Sequence, residues 1–316
     1  MTTIRTFGNA DLPGLFEVWI RHWEAARYQV HLSVTALERA ILSRTFFRPE
    51  HLLIAESDGN VVAWCHWFPN LAPVVTGETP SEQDRSATIA SFCFAGDHGL
   101  AVCDDLLTHV ERICEEAGAS EMRFGIVRDD QFGYAGIDPV GHGIGVPTAD
   151  ARTSSMLSRH GYRVAAGLER LVASTSTYRV RTSREFLQLR RQTRVDQSLI
   201  MPTELPRAIA LSHFDLERHQ LVNHVRREVL AEVDFWLSDT DGPVMDGHRA
   251  ILSLPTTPLS AEERFLISAV IPTLAIRNVY SVETAIDDQS NSLVDQMKDL
   301  AFKSVETGRQ WIKSLV

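Results

Sequence analysis

The run Phe92-Cys93-Phe94-Ala95-Gly96-Asp97-His98-Gly99-Leu100-Ala101 is the part of this sequence best suited to chemistry. An apolar strand passes there into an amphipathic helix through small residues, so the first helical N–H groups have no partner inside the helix and point outward. The helix dipole adds positive potential at the same end, and a pyrophosphate can dock on backbone alone. Gly96 and Gly99 permit close approach. A second set of candidates lies in the Gly-rich loop 128–145. Tyr134 and His142 are an acid/base pair by type, and Asp129, Asp130 and Asp138 are carboxylates for a cationic partner. Asp and Gly also build turns, so the same loop reads as an ordinary connection. Its Gly141-His142-Gly143-Ile144-Gly145 segment does not directly follow a strand as a dinucleotide loop must. Neither Asp97 with His98 nor Asp138 with His142 has third and fourth ligands at useful spacing, so no metal is expected.

These residues need a frame. Residues 3–7 alternate as a strand, and Leu12, Leu15, Phe16, Trp19 and Trp23 recur at helical spacing behind a cap at Asn9 or Asp11. Residues 33–42 make a second helical stretch. Residues 51–55 and 61–67 are apolar runs joined through Ser57-Asp58-Gly59-Asn60, which predicts a tight hairpin. A strand over 87–95 precedes the junction. Leu106, Leu107, Val110, Ile113, Cys114 and Ala117 then share one helical face up to Gly118, and 122–127 is a further strand. A short helix over 150–159 leads through Gly161-Tyr162 into 162–173, where Ala166-Gly167 reads as a turn.

The rest of the chain repeats this order. Strands are expected over 228–237, 249–254 and 279–286, with a helix over 261–276 behind the capping box of Ser260 and Glu263. A helix near 293–300 leads into a final hairpin turning at Thr307-Gly308, and Ala301-Phe302-Lys303 stands where the first copy has Gly161-Tyr162-Arg163. Between the copies, Arg179, Arg181, Arg184, Arg190, Arg191 and Arg194 make a basic run, read as the solvated face of a helix over 183–191 with Phe186, Leu187 and Leu189 inward.

A chain of 316 residues suggests two domains, placed at 1–175 and 176–316. The formal charge of -10 argues against nucleic acid or an anionic membrane as partner. No apolar stretch is long enough to span a bilayer and the start lacks a secretory signal, so a cytoplasmic protein is expected. Cys65, Cys93, Cys103 and Cys114 contain no CxxC pair and read as buried free thiols.

The junction at Gly96 to Ala101, the hairpin before it, the strand and short helix after it, and the Gly161-Tyr162 pair together resemble the GNAT superfamily of acyl-CoA-dependent N-acetyltransferases. The family's pyrophosphate loop reads Gln/Arg-x-x-Gly-x-Gly/Ala. The resemblance covers 3–173, with a weaker second copy over 182–316. It implies an α/β (α+β) fold of two GNAT-like mixed, mainly antiparallel sheets flanked by helices, in tandem. It also implies that coenzyme A lays its pyrophosphate on the N–H groups of His98, Gly99, Leu100 and Ala101, beside Gly96, with its pantetheine along the strand at Phe92 to Phe94. The expected activity is transfer of an acetyl group from acetyl-CoA to a primary amine, a small molecule or a peptide, with Tyr134 and His142 as acid and base. Two departures motivate an alternative, a non-catalytic pseudo-acetyltransferase serving as acyl-CoA sensor or scaffold. Gly96 stands where the family has Gln or Arg, and Leu157 where it often has a tyrosine. In the second copy the junction is Leu254-Pro255-Thr256-Thr257-Pro258-Leu259-Ser260, without glycine and with two residues that have no N–H, so that copy is read as degenerate.

Overall fold

The computed structural model describes residues 2–30, 32–71, 85–127, 131–179, 183–239, 244–255 and 257–315, with backbone alone at 70, 71, 97 and 98. In chain order the elements are β1 (Thr2–Thr6), α1 (Leu12–Ala25), α2 (Val34–Leu37), β2 (Leu52–Ser57), β3 (Asn60–Leu71), β4 (Arg85–Phe94), α3 (Gly96–Glu116), β5 (Glu121–Phe124), β6 (Val146–Pro147), α4 (Ala151–Arg159) and β7 (Arg163–Ser174). They continue with α5 (Arg184–Gln192), β8 (Thr193–Leu199), α6 (Leu205–Ala210), β9 (Phe214–Asn223), β10 (Val229–Ser238), β11 (Arg249–Ser253), α7 (Ala261–Ile276), β12 (Ser281–Asp287), α8 (Asn291–Asp299) and β13 (Lys303–Ser314). Two compact units result. The first is Met1–Gly167 with Gly308–Val316, and the second is Leu168–Thr307.

In the first unit β1 to β4 are successive antiparallel neighbours, β4 and β5 run parallel, and the C-terminal part of β13 closes the sheet antiparallel to β5. Asp58 and Gly59 have φ of 51° and 80°, the left-handed pair that a two-residue hairpin between β2 and β3 requires. One face buries Leu53, Cys65, Phe92 and Phe94 against Leu106 and Val110 of α3. The other receives α1, where Trp19 stacks on Trp64 at 5.7 Å and the Trp64 indole N–H donates to the Leu15 carbonyl at 3.1 Å.

The second unit has the same strand plan. β8 to β11 are antiparallel neighbours, β11 and β12 run parallel, and β7 completes the sheet antiparallel to β12. The duplication is visible in backbone detail. Gly161 and Ala301 both adopt positive φ, 79° and 64°, just after α4 and α8. The next N–H, of Tyr162 or Phe302, reaches back to Leu157 or Met297, at 3.0 Å in each case. Gly118 and Asn278 end α3 and α7 alike, with φ of 90° and 63°.

Three expectations are corrected. Ala166-Gly167 and Thr307-Gly308 are not hairpin turns, because β7 and β13 run straight through them. Gly308 serves close approach instead. A Cβ there would lie 2.2 Å from the Ile144 carbonyl oxygen, so the strand can cross that loop only without a side chain. Leu187 does not point inward, being 47% exposed, while Leu189 is buried. Strands β8 and β9 had no reading from sequence. β8 is mostly exposed and polar, and β9 buries Glu217, paired with both terminal nitrogens of Arg277 at 2.7 Å, where a hydrophobic pattern would have marked a strand. Among the described residues, no helix is long and apolar enough to cross a membrane.

Gly308→Ala should destabilise the first unit by about 2–4 kcal/mol, because backbone has to move to admit the methyl group. Urea unfolding followed by tryptophan fluorescence, compared with Gly247→Ala, where a Cβ meets nothing within 4 Å, measures the difference.

Candidate active site

The opening in the first unit begins with one extra residue. β3 pairs with β4 from His66 with Ser91 to Trp67 with Ile89, so Ala90 is a bulge on β4. Pairing of β4 with β5 stops at Ile89 with Phe124, and the last bond on that side runs from the Gly125 N–H to the Ile89 carbonyl at 3.0 Å. β5 leaves because Gly125, at φ 93°, turns the chain against Gly145, where a Cβ would stand 2.7 Å from the Gly145 Cα. Beyond Ile89, β4 continues to Phe94 without β5 beside it. Its inward edge is an unpaired strand edge leading to the start of α3.

There the helix amides are open. Ala95 precedes α3 in extended conformation and no side chain caps the helix. The Ala95 N–H goes to the Val62 carbonyl at 3.0 Å, and the Gly99 N–H to the Ala95 carbonyl at 3.1 Å. Leu100 and Ala101 therefore sit inside the helical ladder, and the amides without an intrahelical acceptor are those of Gly96, Asp97 and His98. Gly96 has φ 59°. Gly99 lets the helix approach the sheet, since a Cβ would lie 2.9 Å from the Val62 oxygen and 3.1 Å from the Phe94 Cβ.

The corresponding end of α7 is capped. The Ser260 hydroxyl accepts from the Glu263 N–H at 3.1 Å, the Glu263 carboxylate accepts from the Ser260 N–H at 2.7 Å, and the Leu259 N–H donates to Gln296 at 2.7 Å. Pro258 offers no N–H, and two glutamates occupy the first turn.

A group absent from the sequence reading fills the β4 edge. His22, on the buried face of α1, accepts the Phe94 N–H on Nδ1 at 3.3 Å and meets the Asp150 carboxylate through Nε2 at 3.1 Å. His22 and Asp150 are 0% and 2% exposed. Arg152 donates to the His22 carbonyl at 3.0 Å and lies 4.8 Å above the Phe94 ring. Burial pushes the Asp150 carboxyl up, but His22 and the Thr153 N–H outweigh it and hold it below the usual carboxylate value. The sequence signal was available only in part. His22 shares the helical face of Leu15, Val18, Trp19 and Trp23, but nothing local links it to a residue 128 positions away.

The predicted loop residues divide. Tyr134 is buried and its hydroxyl meets His66 Nδ1 at 2.8 Å. His142 pairs instead with Asp138, Nε2 to Oδ1 at 3.1 Å, the aspartate being partly open to solvent. Asp129 and Asp130 lie outside the described residues. Phe92 and Phe94 turn their rings to the α3 face, so the edge they present is backbone. Leu157 is fully buried in the same core and brings no hydroxyl group.

No family model matches the sequence, and no curated protein matches it. Solved structures do. A tandem GNAT protein from the clavulanic acid biosynthesis pathway superposes with TM-score 0.67 at 10% identity over 100% of this chain and 99% of that one. A GCN5-related N-acetyltransferase from Sphaerobacter thermophilus gives 0.64 at 10% over 99% and 96%. A GCN5-related glucosamine N-acetyltransferase region of a fungal multi-domain GH3 β-N-acetylglucosaminidase gives 0.67 at 13%, over 99% of this chain and 38% of that one. The chain has the GNAT fold, in tandem. At these identities the likeness is one of fold. The GNAT fold implies coenzyme A, and the first unit fits its diphosphate end: three amides free of intrahelical bonds, and a glycine whose missing Cβ keeps helix and strand close. At the other end, the Phe94 amide is already held by His22.

His66 supplies a pH test. Burial, reinforced by His51, lowers its pKa to about 3. The unfolded chain takes up a proton below about pH 6.5 that the folded unit refuses, so stability falls as pH drops from there towards 3, by up to ~1.4 kcal/mol per pH unit. Wild type should lose ~2 kcal/mol more than His66→Gln between pH 7 and pH 5 in urea unfolding.

Proposed function

We propose that the first unit binds acetyl-CoA and transfers its acetyl group to a primary amine, and that the second unit is a degenerate copy without a cosubstrate site. The observation that carries this reading is the contrast between the two helix starts. α3 starts without a side-chain cap beside an unpaired strand edge, whereas α7 starts with a capping box in which Ser260 takes the Glu263 N–H, and with two glutamates in its first turn. The amides of Gly96, Asp97 and His98 would hold the diphosphate, Gly99, Leu100 and Ala101 would shape that turn, and the backbone of Phe92 and Phe94 would align the pantetheine. Bound acetyl-CoA supplies an activated thioester carbonyl. The chain orients it with strand N–H groups, a contribution of the oxyanion-hole kind. Tyr134 is assigned the part of proton donor to the leaving thiolate, which Leu157 cannot play. His142, expected as the base, pairs with Asp138 and is assigned with it, and with Asp129 and Asp130 of the same loop, to the acceptor end, where the carboxylates would hold a cationic amine, either a small molecule or a peptide. Four buried, unpaired cysteines suit a reducing compartment, and we place the protein in the cytoplasm.

The His22 contact favours a second reading, a module that binds acyl-CoA without turning it over. Thiol release from acetyl-CoA with tyramine, spermidine, glucosamine and an N-terminal peptide as acceptors separates the two.

Coenzyme A at about a hundred times its dissociation constant should stabilise the protein by ~2.7 kcal/mol, raising the melting temperature of the first unit by several degrees. Gly99→Val should abolish that shift and Thr257→Val should leave it intact. Equal behaviour of the two variants in a thermal scan would overturn the assignment of the working copy.

A further inference from the structure

We propose that His22 is the base that takes the proton of the acceptor ammonium, and that it rests on the Phe94 N–H until an acyl carbonyl takes that N–H instead. The proposal rests on the transferase reading above and assigns to it a residue which that reading leaves without a part.

The hydrogen bonds fix the imidazole in one form. The Phe94 N–H is a donor only, so Nδ1 is the unprotonated nitrogen, and the ring proton sits on Nε2 facing Asp150. A histidine whose tautomer is set by a buried carboxylate, with its unprotonated nitrogen turned to the strand edge that would hold the thioester, is arranged as a general base. Here that lone pair lies on the amide at the open edge of β4. A carbonyl accepting the Phe94 N–H displaces Nδ1 and leaves its lone pair next to the electrophile. The same contact thus closes the edge at rest and delivers the base when the edge is occupied.

The charges facing the ring are compatible with this. Asp150 stands on Nε2 at 3.1 Å. The Arg152 guanidinium, a donor only, also reaches Nδ1, at 3.5 Å. Cys93, on β4, has its thiol held protonated by burial, and Trp23 meets the imidazole edge-on at 4.7 Å. Asp150 is itself positioned by the Thr153 N–H at 3.2 Å, at the start of α4.

The proton balance is complete without another reactant. One ammonium proton goes to Nδ1 and then to solvent. The neutral amine forms the N–C bond as the C–S bond breaks, the thiolate takes the Tyr134 proton, and the amine's second proton restores Tyr134. Ammonium and thioester become amide, thiol and one released proton.

The test compares wild type with His22→Gln and Asp150→Asn. Calorimetry with acetyl-CoA should give His22→Gln an affinity no weaker than wild type, because the imidazole competes for the Phe94 amide. Thiol release with tyramine or spermidine at pH 7 should fall by about 10²–10⁴-fold in His22→Gln, as expected for loss of a general base. That rate should recover as pH rises and free amine accumulates. With hydroxylamine, uncharged at pH 7, the same variant should stay within a few-fold of wild type. Asp150→Asn should show a smaller loss with the same selectivity for ammonium acceptors, and it decides the matter if His22→Gln does not fold. Equal effects on both acceptor types, or none on either, overturn the proposal. Wild type that binds acetyl-CoA but releases no thiol with any of these acceptors overturns it too. Wild type that does not bind acetyl-CoA at all overturns the transferase reading itself.

Discussion

A strand in the middle of a sheet that loses its neighbour has amides to satisfy, and the first unit is organised around that constraint. The bulge at Ala90 and the departure of β5 after Phe124 strip the edge of β4 over five residues. An amide buried without an acceptor costs about as much as a lost hydrogen bond, roughly 1–3 kcal/mol. The chain meets the need at Phe94 with a side chain from α1, and α1 in turn is fixed by the Trp19 and Trp64 stack. Burying His22 then requires a partner for its second nitrogen, which is why Asp150 is drawn to the start of α4. One missing strand contact thus dictates the placement of three elements.

The second unit has the same parallel pair, β11 and β12, and the same helix after it, yet it solves the end of the helix differently. Proline removes a donor ahead of the helix, and the Ser260–Glu263 box takes the N–H groups of Ser260 and Glu263, so the helix start is capped by its own sequence. In the first unit the sequence leaves the helix start without a side-chain cap, and a structure unfinished at one point is what a binding site requires. The asymmetry between the copies is therefore chemical before it is functional.

Much of this was legible from residue order. The hairpin at Asp58-Gly59, the capping box at Ser260 and Glu263, the bounds of α7 and the pairing of Gly161 with Ala301 all follow from local rules that fold context did not override. The turn reading failed at Gly308 because glycine answers two different demands, positive φ and absence of a side chain, and only the crossing by Ile144 tells which applies. β8 and β9 escaped because their charged residues pair across strands, as Arg218 does with Asp234, and periodicity in hydrophobicity is then lost. At the site, the open helix start could be read from Gly96 and Gly99, whereas His22 could not. Its meaning depends on Phe94 and Asp150, which folding alone brings within reach. Tyr134 and His142 were singled out by type alone, and their partners, His66 and Asp138, are matters of packing.

The membership of the units reverses the order in which they can be finished during synthesis. The second unit is one continuous stretch, Leu168–Thr307, while the first needs Gly308–Val316 to close its sheet. As the chain emerges from the ribosome, the unit encoded second is complete first. The unit encoded first waits for residues 308–316, its β5 edge uncovered for the whole of that interval. A nascent chain of this kind has reason to engage a chaperone at its N-terminal half, and the arrival of Trp311 ends that exposure.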